Sequence, residues 1–363
     1  MRVDMIEDRI KRLRSFFKGL SLSGIVITDM KNVRYFSGFT GSDGVLVVGG
    51  ARGVFLTDGR YTTQASAEVK DFPVEEYKKK VDGIADAIAD LSIKEIGVES
   101  HNMTLFLYES LKEVPLVKGS ASITPIRDDL SRLRAVKEEG EVEMIIGAIK
   151  ISEDALNGII PMIAPGISEA DIAAELDYAM RRGGSGPTPF PTIVASGENG
   201  AVVHAQPGKR KLEKGDLLII DFGAEFMGYA SDQTVTYTVG EADEKKREVF
   251  EVVRTAQIEG IKRARPGISA VELDGAVRGH IEEKGYGKYF SHGTGHGVGL
   301  NVHEPPVLSP LGDAVLSPGM VITVEPGIYI PGWGGVRLED MVLVTEDAPN
   351  VLTTLEKSFK VLA

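Results

Sequence analysis

The stretch LLIIDFGAEFMGYASDQTVTYTVG, residues 217–240, contains two apolar runs that each carry an aspartate. Asp221 closes the run LLIIDF, and Asp232 lies on the following run, after a glycine-containing turn. Such a tight connection predicts an antiparallel pair of strands. Burying a bare carboxylate costs free energy unless something cationic lies opposite it, so Asp221 predicts a cationic partner at this pair of strands.

Two more carboxylates and an imidazole lie in similar surroundings further along the chain. Glu325 interrupts the apolar segment VITVEPGIYI, and Glu339 interrupts GVRLEDMVLV. His296 lies in SHGTGHGVGL, which contains four glycines and no Asp, Glu, Lys or Arg. These segments are predicted to be strands, or glycine-rich turns beside them.

Each of these five side chains has an ordinary interpretation when it is taken alone. An aspartate at a strand end is usually a turn former or a helix cap, a glutamate in a half-exposed strand is usually solvated, and a histidine among glycines is usually a loop residue. Taken together on neighbouring strands, four carboxylates and one imidazole supply a ligand set for two divalent ions about 3.5–4 Å apart.

An internal repeat surrounds these segments. The string PGIS occurs at residues 165–168 and again at 266–269. Each serine is followed three positions later by an acid, Asp171 or Glu272, which is the capping-box pattern of a helix start. Each copy continues into an amphipathic helical pattern. A longer helical pattern precedes each copy, over residues 137–163 and 243–265. The repeat predicts two related halves, each with two helices followed by strands.

The first third of the chain reads differently. A helical pattern over residues 6–18 is followed by the short runs GIVITD (24–29), GVLVVGG (44–50) and GVFLTDGR (53–60), a helical DGIADAIADL (82–91) and KEIGVES (94–100). Strands interleaved with helices predict an α/β layer. The pattern changes within SITPIRDDLSRLR (122–134), so we predict two domains, residues 1–127 and 128–363.

Composition agrees with this organisation and excludes several classes. A chain of 363 residues is long enough for two domains at about 150 residues each. It has no cysteine, which excludes disulfide scaffolds and thiolate metal sites and leaves imidazole and carboxylate as metal ligands. The net charge of −12 disfavours nucleic-acid partners. Neither a signal peptide nor an apolar run of about 18 residues is visible, so we expect no membrane partner and a cytoplasmic location.

The combined motifs resemble the pita-bread-fold metallopeptidases, in particular the Xaa-Pro dipeptidase (prolidase) and aminopeptidase P branch. The matching strings are DFGA (221–224), GYASD (228–232), HGTGHGVG (292–299), VHE (302–304), EPGIY (325–329) and GVRLED (335–340). RYFSGFTGSDG (34–44) is similar to the N-terminal domain of that branch. The resemblance implies an α+β protein with an N-terminal creatinase/prolidase-like α/β domain. It implies a C-terminal pita-bread domain with pseudo-twofold ααββ halves and a curved antiparallel sheet.

The resemblance also implies a metal centre. In it Asp221 and Asp232 chelate and bridge two divalent ions, His296 and Glu325 bind one of them, and Glu339 bridges both. Manganese or cobalt is the expected metal, and zinc also suits this ligand set. A water or hydroxide that bridges the two ions is the implied nucleophile.

Further implied roles fall on residues around the centre. His204, His303 and Glu325 are implied catalytic residues: the histidines contact substrate and stabilise the tetrahedral intermediate, and Glu325 passes a proton to the leaving imino nitrogen. His292 and Arg337 are implied to line the same substrate pocket. The implied substrates are dipeptides or short peptides with proline at the second position, and the implied assembly is a homodimer.

Several alternatives remain open at this stage. Whether dipeptides or longer peptides are cleaved is not decided by the motifs. Methionine aminopeptidases separate their two ligand glutamates more widely than Glu325 and Glu339, and creatinases lose the metal ligands. A non-catalytic binding protein that keeps the scaffold is a further alternative, which the five intact ligands disfavour.

One position departs from the family pattern. Val235, in SDQTVT, stands where the family commonly has arginine. Loss of a contact that supports a metal ligand costs about 10–100-fold in metal affinity or activity. We therefore expect the support of Asp232 to be affected.

Overall fold

The computed structural model describes residues 2–115, 117, 120–127 and 130–362, apart from the side chains of residues 2–4. The chain divides into two compact units, residues 1–134 and 135–363. The second predicted domain starts at Asp128, which lies outside the described residues, so the domain limits 1–127 and 128–363 stay a prediction. Among the described helices, none combines the length and the apolar character that a membrane crossing needs.

The N-terminal unit alternates helices and strands, as predicted. Its elements are α1 (Arg2–Gly19), β1 (Gly24–Ile27), α2 (Met30–Ser37), β2 (Val45–Gly49), β3 (Gly53–Thr57), α3 (Thr62–Glu68), β4 (Val74–Glu76), α4 (Lys80–Asp90), β5 (Glu95–Glu99), α5 (Leu105–Glu113) and β6 (Ser122–Ile126). The strands form one sheet in the order β4-β3-β2-β1-β5-β6, in which β1 pairs antiparallel with β2 and parallel with β5. Every residue of β1 and β2 is buried, as in strands that are covered on both faces.

The C-terminal unit contains the remaining elements. They are α6 (Glu139–Ile159), α7 (Glu169–Arg182), β7 (Ile193–Ser196), β8 (Leu217–Phe222), β9 (Glu225–Phe226), β10 (Tyr229–Ala230), β11 (Gln233–Val239), α8 (Glu244–Arg263), α9 (Ala270–Glu283), β12 (Gly295–Gly297), β13 (Glu304–Leu308), β14 (Val321–Val324), β15 (Gly327–Ile330), β16 (Gly334–Arg337), β17 (Asp340–Leu343), β18 (Asn350–Val351) and β19 (Val361–Leu362). The strands form sheets in the orders β19-β11-β8-β7 and β13-β12-β14-β17-β18, and the pairs β9-β10 and β15-β16. The predicted antiparallel pairing is confirmed for β8 with β11, and β14 also pairs antiparallel with β17.

The predicted repeat is visible in the hydrogen bonds of this unit. We call residues 139–239 the first half and residues 244–344 the second half; each holds two helices followed by strands. The N-cap serines Ser168 and Ser269 each accept a hydrogen bond from the backbone three residues on, as the capping pattern predicts. Beside them, the Gly166 N–H donates to Leu212 O at 2.8 Å, and the Gly267 N–H donates to Leu316 O at 2.9 Å.

Each half has its own apolar core between its helices and its sheet. In the first half, Leu156 of α6 and Leu176 of α7 share a core with Ile220 of β8. In the second half, Phe250 of α8 and Val277 of α9 share one with Ile322 of β14. Burial of side chains of this size contributes about 1.5–3 kcal/mol each, so both helix pairs are held to their strands mainly by apolar contact.

Three of the predicted continuous strands are broken, and the prediction of single strands there was wrong. GYASDQTVTYTVG divides into β10 and β11 at Asp232, VITVEPGIYI into β14 and β15 at Glu325, and GVRLEDMVLV into β16 and β17 at Glu339. At each break the chain leaves one sheet and enters another. The side chain of an acid at such a break is not constrained by the alternation of side chains along a strand.

Candidate metal centre

The five predicted ligands lie together in the C-terminal unit. Asp221, Asp232 and Glu339 each offer an oxygen, and these atoms lie within 4.8 Å of one another. His296, Glu325 and Glu339 form a second such group within the same distance. Glu339 belongs to both groups. The two groups of ligand atoms therefore adjoin each other and share one residue.

Buried carboxylates that face one another dominate the electrostatics here. Burial raises the pKa of Asp232 well above its usual range, and the charges of Glu339 and Asp221 push it in the same direction. Burial also raises the pKa of Glu339 well above its usual range, with the charges of Glu325 and Asp221 adding to the effect. Burial raises the pKa of Asp221 against the opposing charge of Arg337. A bound cation relieves both the desolvation and the mutual repulsion.

His296 presents one ring nitrogen to these acids. Its Nε2 lies 3.2 Å from Glu325 Oε1 and 3.6 Å from Asp232 Oδ2, and its Nδ1 lies 3.1 Å from Gly297 O. With a metal ion bound, donation from Nδ1 to the carbonyl would leave the Nε2 lone pair for the ion, which is the usual arrangement of a metal-binding histidine. Burial alone lowers the pKa of His296, but the hydrogen bond and charge of Glu325 raise it overall. The same pair lowers the pKa of Glu325 although burial opposes this.

The residues fit two divalent cations. Asp221 Oδ1 is buried and has no hydrogen-bond partner among the described residues, while Asp221 Oδ2 accepts from Arg337 Nη2 at 2.5 Å. A buried carboxylate oxygen without a donor costs free energy unless a cation approaches it. The remaining donors are carboxylate oxygens and one imidazole, which suit manganese, cobalt or zinc.

Arg337 supports the centre through the hydrogen bonds of its guanidinium group. Its side chain is buried, and Nε donates to Thr234 Oγ1 at 3.1 Å. Its Nη1 donates to Tyr329 Oη at 2.9 Å and to Val203 O at 3.2 Å. Together with the bond to Asp221, these contacts engage every nitrogen of the guanidinium. Its predicted contact with substrate stays a prediction.

Tyr329 was not singled out by the sequence reasoning, although it lies in the quoted string EPGIY. Tyr329 Oη lies 2.8 Å from His292 Nε2, and His292 Nδ1 lies 2.8 Å from Gly293 O. This pattern assigns the proton of His292 to Nδ1, so Tyr329 donates to His292 while it accepts from Arg337. Burial raises the pKa of Tyr329 to about 12 and lowers that of His292, so both are neutral at pH 7. The sequence feature that could have identified Tyr329 is a tyrosine in an apolar strand shortly after Glu325.

The two remaining predicted histidines, His204 and His303, are both exposed. The ring of His303 lies 4.2 Å from that of His296, and His303 forms a third possible ligand group with His296 and Asp232. His204 is exposed on the loop that joins β7 to β8. Burial lowers the pKa of His303, and positive charge on His296 and on His204 lowers it further. The structure thus brings His303 beside His296, while the predicted role of His204 stays a prediction.

Val235 faces away from the centre. It pairs with Ile220 across β8 and β11 and lies in the apolar core of the first half, whereas its neighbour Thr234 pairs with Asp221. Because side chains alternate between the two faces of a strand, residue 235 points to the core and residue 234 to the ligands. The expectation that valine here affects the support of Asp232 is therefore not favoured by the geometry.

Both parts of the chain match models of known families. Residues 143–346 match metallopeptidase family M24, and residues 9–136 match the creatinase/prolidase N-terminal domain.

Relatives match along nearly the whole chain. The Xaa-Pro dipeptidase of Pyrococcus horikoshii is 37% identical over 98% of this chain and 99% of its own. The structure of an Xaa-Pro dipeptidase from Bacillus anthracis superposes with a TM-score of 0.95, at 38% identity over 98% of this chain and 100% of that one. An X-Pro aminopeptidase from Thermotoga maritima superposes with a TM-score of 0.87, at 38% identity over 94% and 98%.

Proposed function

Because this chain belongs to metallopeptidase family M24, we propose that it hydrolyses the Xaa-Pro peptide bond at the N terminus of dipeptides or short peptides. The proteins similar to it that are named Xaa-Pro dipeptidase or X-Pro aminopeptidase support this substrate class. The peptide bond before proline is a tertiary amide without an N–H, so peptidases that need that donor handle it poorly.

The observation that carries the proposal is the sharing of Glu339 between two groups of ligand atoms. We assign Asp221, Asp232, His296, Glu325 and Glu339 as the residues that hold two divalent ions, with manganese or cobalt preferred and zinc also suited. When bound, two such ions polarise the scissile carbonyl and lower the pKa of the attacking water.

The surrounding side chains have separate tasks in this proposal. Glu325, whose pKa is lowered beside His296, is ionised at neutral pH, so it can take a proton from the attacking water and pass that proton to the leaving imino nitrogen. His204 and His303 contact substrate and stabilise the negative charge that develops on its carbonyl oxygen. His292 and Arg337 line the same pocket, where Arg337 also holds Asp221.

We extend the proposal to organisation and location. Domains at residues 1–127 and 128–363, a homodimer, a cytoplasmic location, and peptides rather than nucleic acids or membranes as partners are part of it. The net charge of −12 supports the exclusion of nucleic acid.

The test is cleavage of an Xaa-Pro dipeptide, an Xaa-Pro-Yaa tripeptide and an Xaa-Ala dipeptide by the full chain at controlled manganese or cobalt content. We expect release of Xaa from the proline substrates only, and loss of turnover after chelation. Cleavage of the dipeptide alone identifies a dipeptidase, and cleavage of the tripeptide an aminopeptidase. A chain that binds neither metal and cleaves none of the three is a non-catalytic protein on this scaffold.

A further inference from the structure

The loop that carries His204 is fastened at its base by one buried carboxylate. Glu169, the first residue of α7, is completely buried. Its Oε1 accepts from Ser196 N at 2.8 Å and from Ser196 Oγ at 2.7 Å, and its Oε2 accepts from Gly208 N at 3.1 Å. Ser196 ends β7 and Gly208 lies after His204 in the loop, so one side chain binds the chain on both sides of His204.

The same carboxylate also reaches into the loop. Asn199 Nδ2 donates to both oxygens of Glu169 at 3.1 Å. From Asn199 the backbone continues in two turns, in which Val202 N donates to Asn199 O at 2.9 Å and Ala205 N donates to Val202 O at 3.2 Å. His204 lies within the second turn. A displacement of Asn199 is therefore passed along the backbone to the imidazole.

The outer side of the loop is confined by β16. A Cβ added to Gly335 would lie 2.0 Å from Gly200 O, so the two backbones pass in direct contact. Arg337 Nη1 donates to Val203 O, next to His204. With β16 on one side and Glu169 at the base, the loop has few alternative positions.

Comparison with the second half indicates that the fold itself does not require a carboxylate at the position of Glu169. α9 begins with Ala270 at the position that matches Glu169, directly after the equivalent N-cap serine. The second half therefore builds the same helix start and strand pairing without a carboxylate there. The N-terminal end of a helix and several donors stabilise a buried negative charge, but the fold alone does not call for one.

We propose that Glu169 is a positioning residue that holds His204 in place over the metal centre. This inference rests on the role proposed for His204. The side-chain hydrogen bonds that the structure describes for Glu169 go to Ser196, Asn199 and Gly208, none of which is a predicted ligand, so Glu169 acts through Asn199 and the two turns. Misplacement of a catalytic group by about 1 Å costs up to about a hundredfold in rate.

The test is a double-mutant cycle in the metal-loaded full chain, with Glu169→Gln and His204→Ala. Glutamine keeps the size but turns an N–H₂ toward donors, so we expect kcat for the Xaa-Pro substrate to fall about 10–100-fold. In the His204→Ala background Glu169→Gln should cause no further loss, because the group it positions is gone. Metal content should not change in either background.

Glu153→Gln is the matched control. Glu153 is also a buried carboxylate and accepts from Leu355 N at 3.1 Å and from both Thr354 N and Thr354 Oγ1, far along the chain from His204. Its loss should lower stability without coupling to His204. Should Glu169→Gln not fold, Asn199→Ala removes the link inside the loop and should couple to His204 in the same way.

The outcomes separate the two ideas. If His204→Ala slows turnover but Glu169→Gln slows both backgrounds by the same factor, Glu169 serves only folding and the inference fails alone. If His204→Ala leaves kcat unchanged, the proposed role of His204 fails and the inference fails with it.

Discussion

The two halves of the C-terminal unit share an arrangement of helices and strands but contribute different residues to the centre. In the first half Gly215 N donates to Val239 O at 2.6 Å, and in the second half Gly319 N donates to Val344 O at 2.9 Å. Both glycines have positive φ, 91° and 88°. Six residues after each glycine lies an acidic side chain of the centre, Asp221 in one half and Glu325 in the other. The duplicated strand start thus places one candidate ligand per half.

The halves meet at a pair of equivalent residues. Counting back five from Val239 and Val344 leads to Thr234 and Glu339. Thr234 Oγ1 donates to Glu339 Oε2 at 2.8 Å, and Glu339 N donates to Thr234 O at 3.1 Å. Equivalent residues touch only near a twofold axis, so Glu339 lies close to the axis between the halves. These two equivalent positions hold different residue types. The residue assigned as the bridge between the ions therefore lies at a position where the two halves differ.

The loops around the centre are held by different side chains in the two halves. In the first half Glu169 of α7 binds the loop of His204. In the second half Asp274 and Arg278 of α9 bind the segment that leads to His296, with Arg278 Nη2 donating to His292 O at 2.7 Å. The helix is present in both halves. Different side chains on it bind different loops.

The largest effect is expected at the axis. Glu339→Ala removes an oxygen from each group of ligand atoms, which should lower kcat/KM by about 10³-fold or more and reduce bound metal, because charge stabilisation of several kcal/mol is lost. Steady-state kinetics together with metal analysis of the purified protein measure both effects. Glu346→Ala, which removes an exposed acid further along the chain, is the control. Turnover unchanged by Glu339→Ala would remove that residue from the centre.

A smaller effect is expected from the second half's loop contact. Arg278→Met leaves Asp274, which also accepts from Thr294 N and Thr294 Oγ1, without its cation. We expect metal affinity to fall about 10–100-fold, because the segment carrying His296 loses its support. Metal titration followed by calorimetry measures this, with Arg254→Met, which changes an arginine of α8 paired with Glu251, as the control. Since Glu169→Gln should leave metal affinity unchanged, equal effects of Glu169→Gln and Arg278→Met would contradict the division of tasks between the halves.

The carboxylates contributed by the two halves should make the stability of the metal-free protein depend on pH. The pKa values of Asp232 and Glu339 are raised in the folded state, so each contributes stability below its unfolded pKa of about 4 that is lost as the pH rises through the folded value. We expect the metal-free Tm to fall by about 2–4 °C or more between pH 5 and pH 8. Calorimetry with chelator and with manganese measures it. A metal-free Tm that rises over this range would show that these acids are ionised without metal.

The smallest effect concerns the matched helix starts. Ser168 Oγ accepts from Asp171 N at 3.1 Å, and Ser269 Oγ accepts from Glu272 N at 3.2 Å. Ser168→Ala and Ser269→Ala should each lower the free energy of unfolding by about 1 kcal/mol, without an effect on turnover. Chemical denaturation compares the two variants. A difference of several kcal/mol between the variants would mean that the two helix starts, although alike in geometry, contribute unequally to the free energy of unfolding.

Much of this organisation was predictable because it depends on local pattern. The N-caps at Ser168 and Ser269, the helices that follow them and the antiparallel pairing of β8 with β11 confirm their predictions. The strand breaks were not predicted, because an apolar run with one acid reads as a continuous strand. Tyr329 was missed for a related reason: the importance of its hydroxyl depends on His292 and Arg337, which a local pattern does not bring to it.

The amino-acid sequence by itself determined the duplicated helices, the supply of carboxylate and imidazole groups, and the family resemblance, since these rest on residue type and short spacing. Only the tertiary structure decided that Thr234 meets Glu339, that Glu169 holds the loop of His204, and that Val235 faces the core. It also decided which acids are buried together and hence which pKa values rise. These properties follow from distances through space and from loss of solvent, and both arise only when segments far apart in the chain pack together.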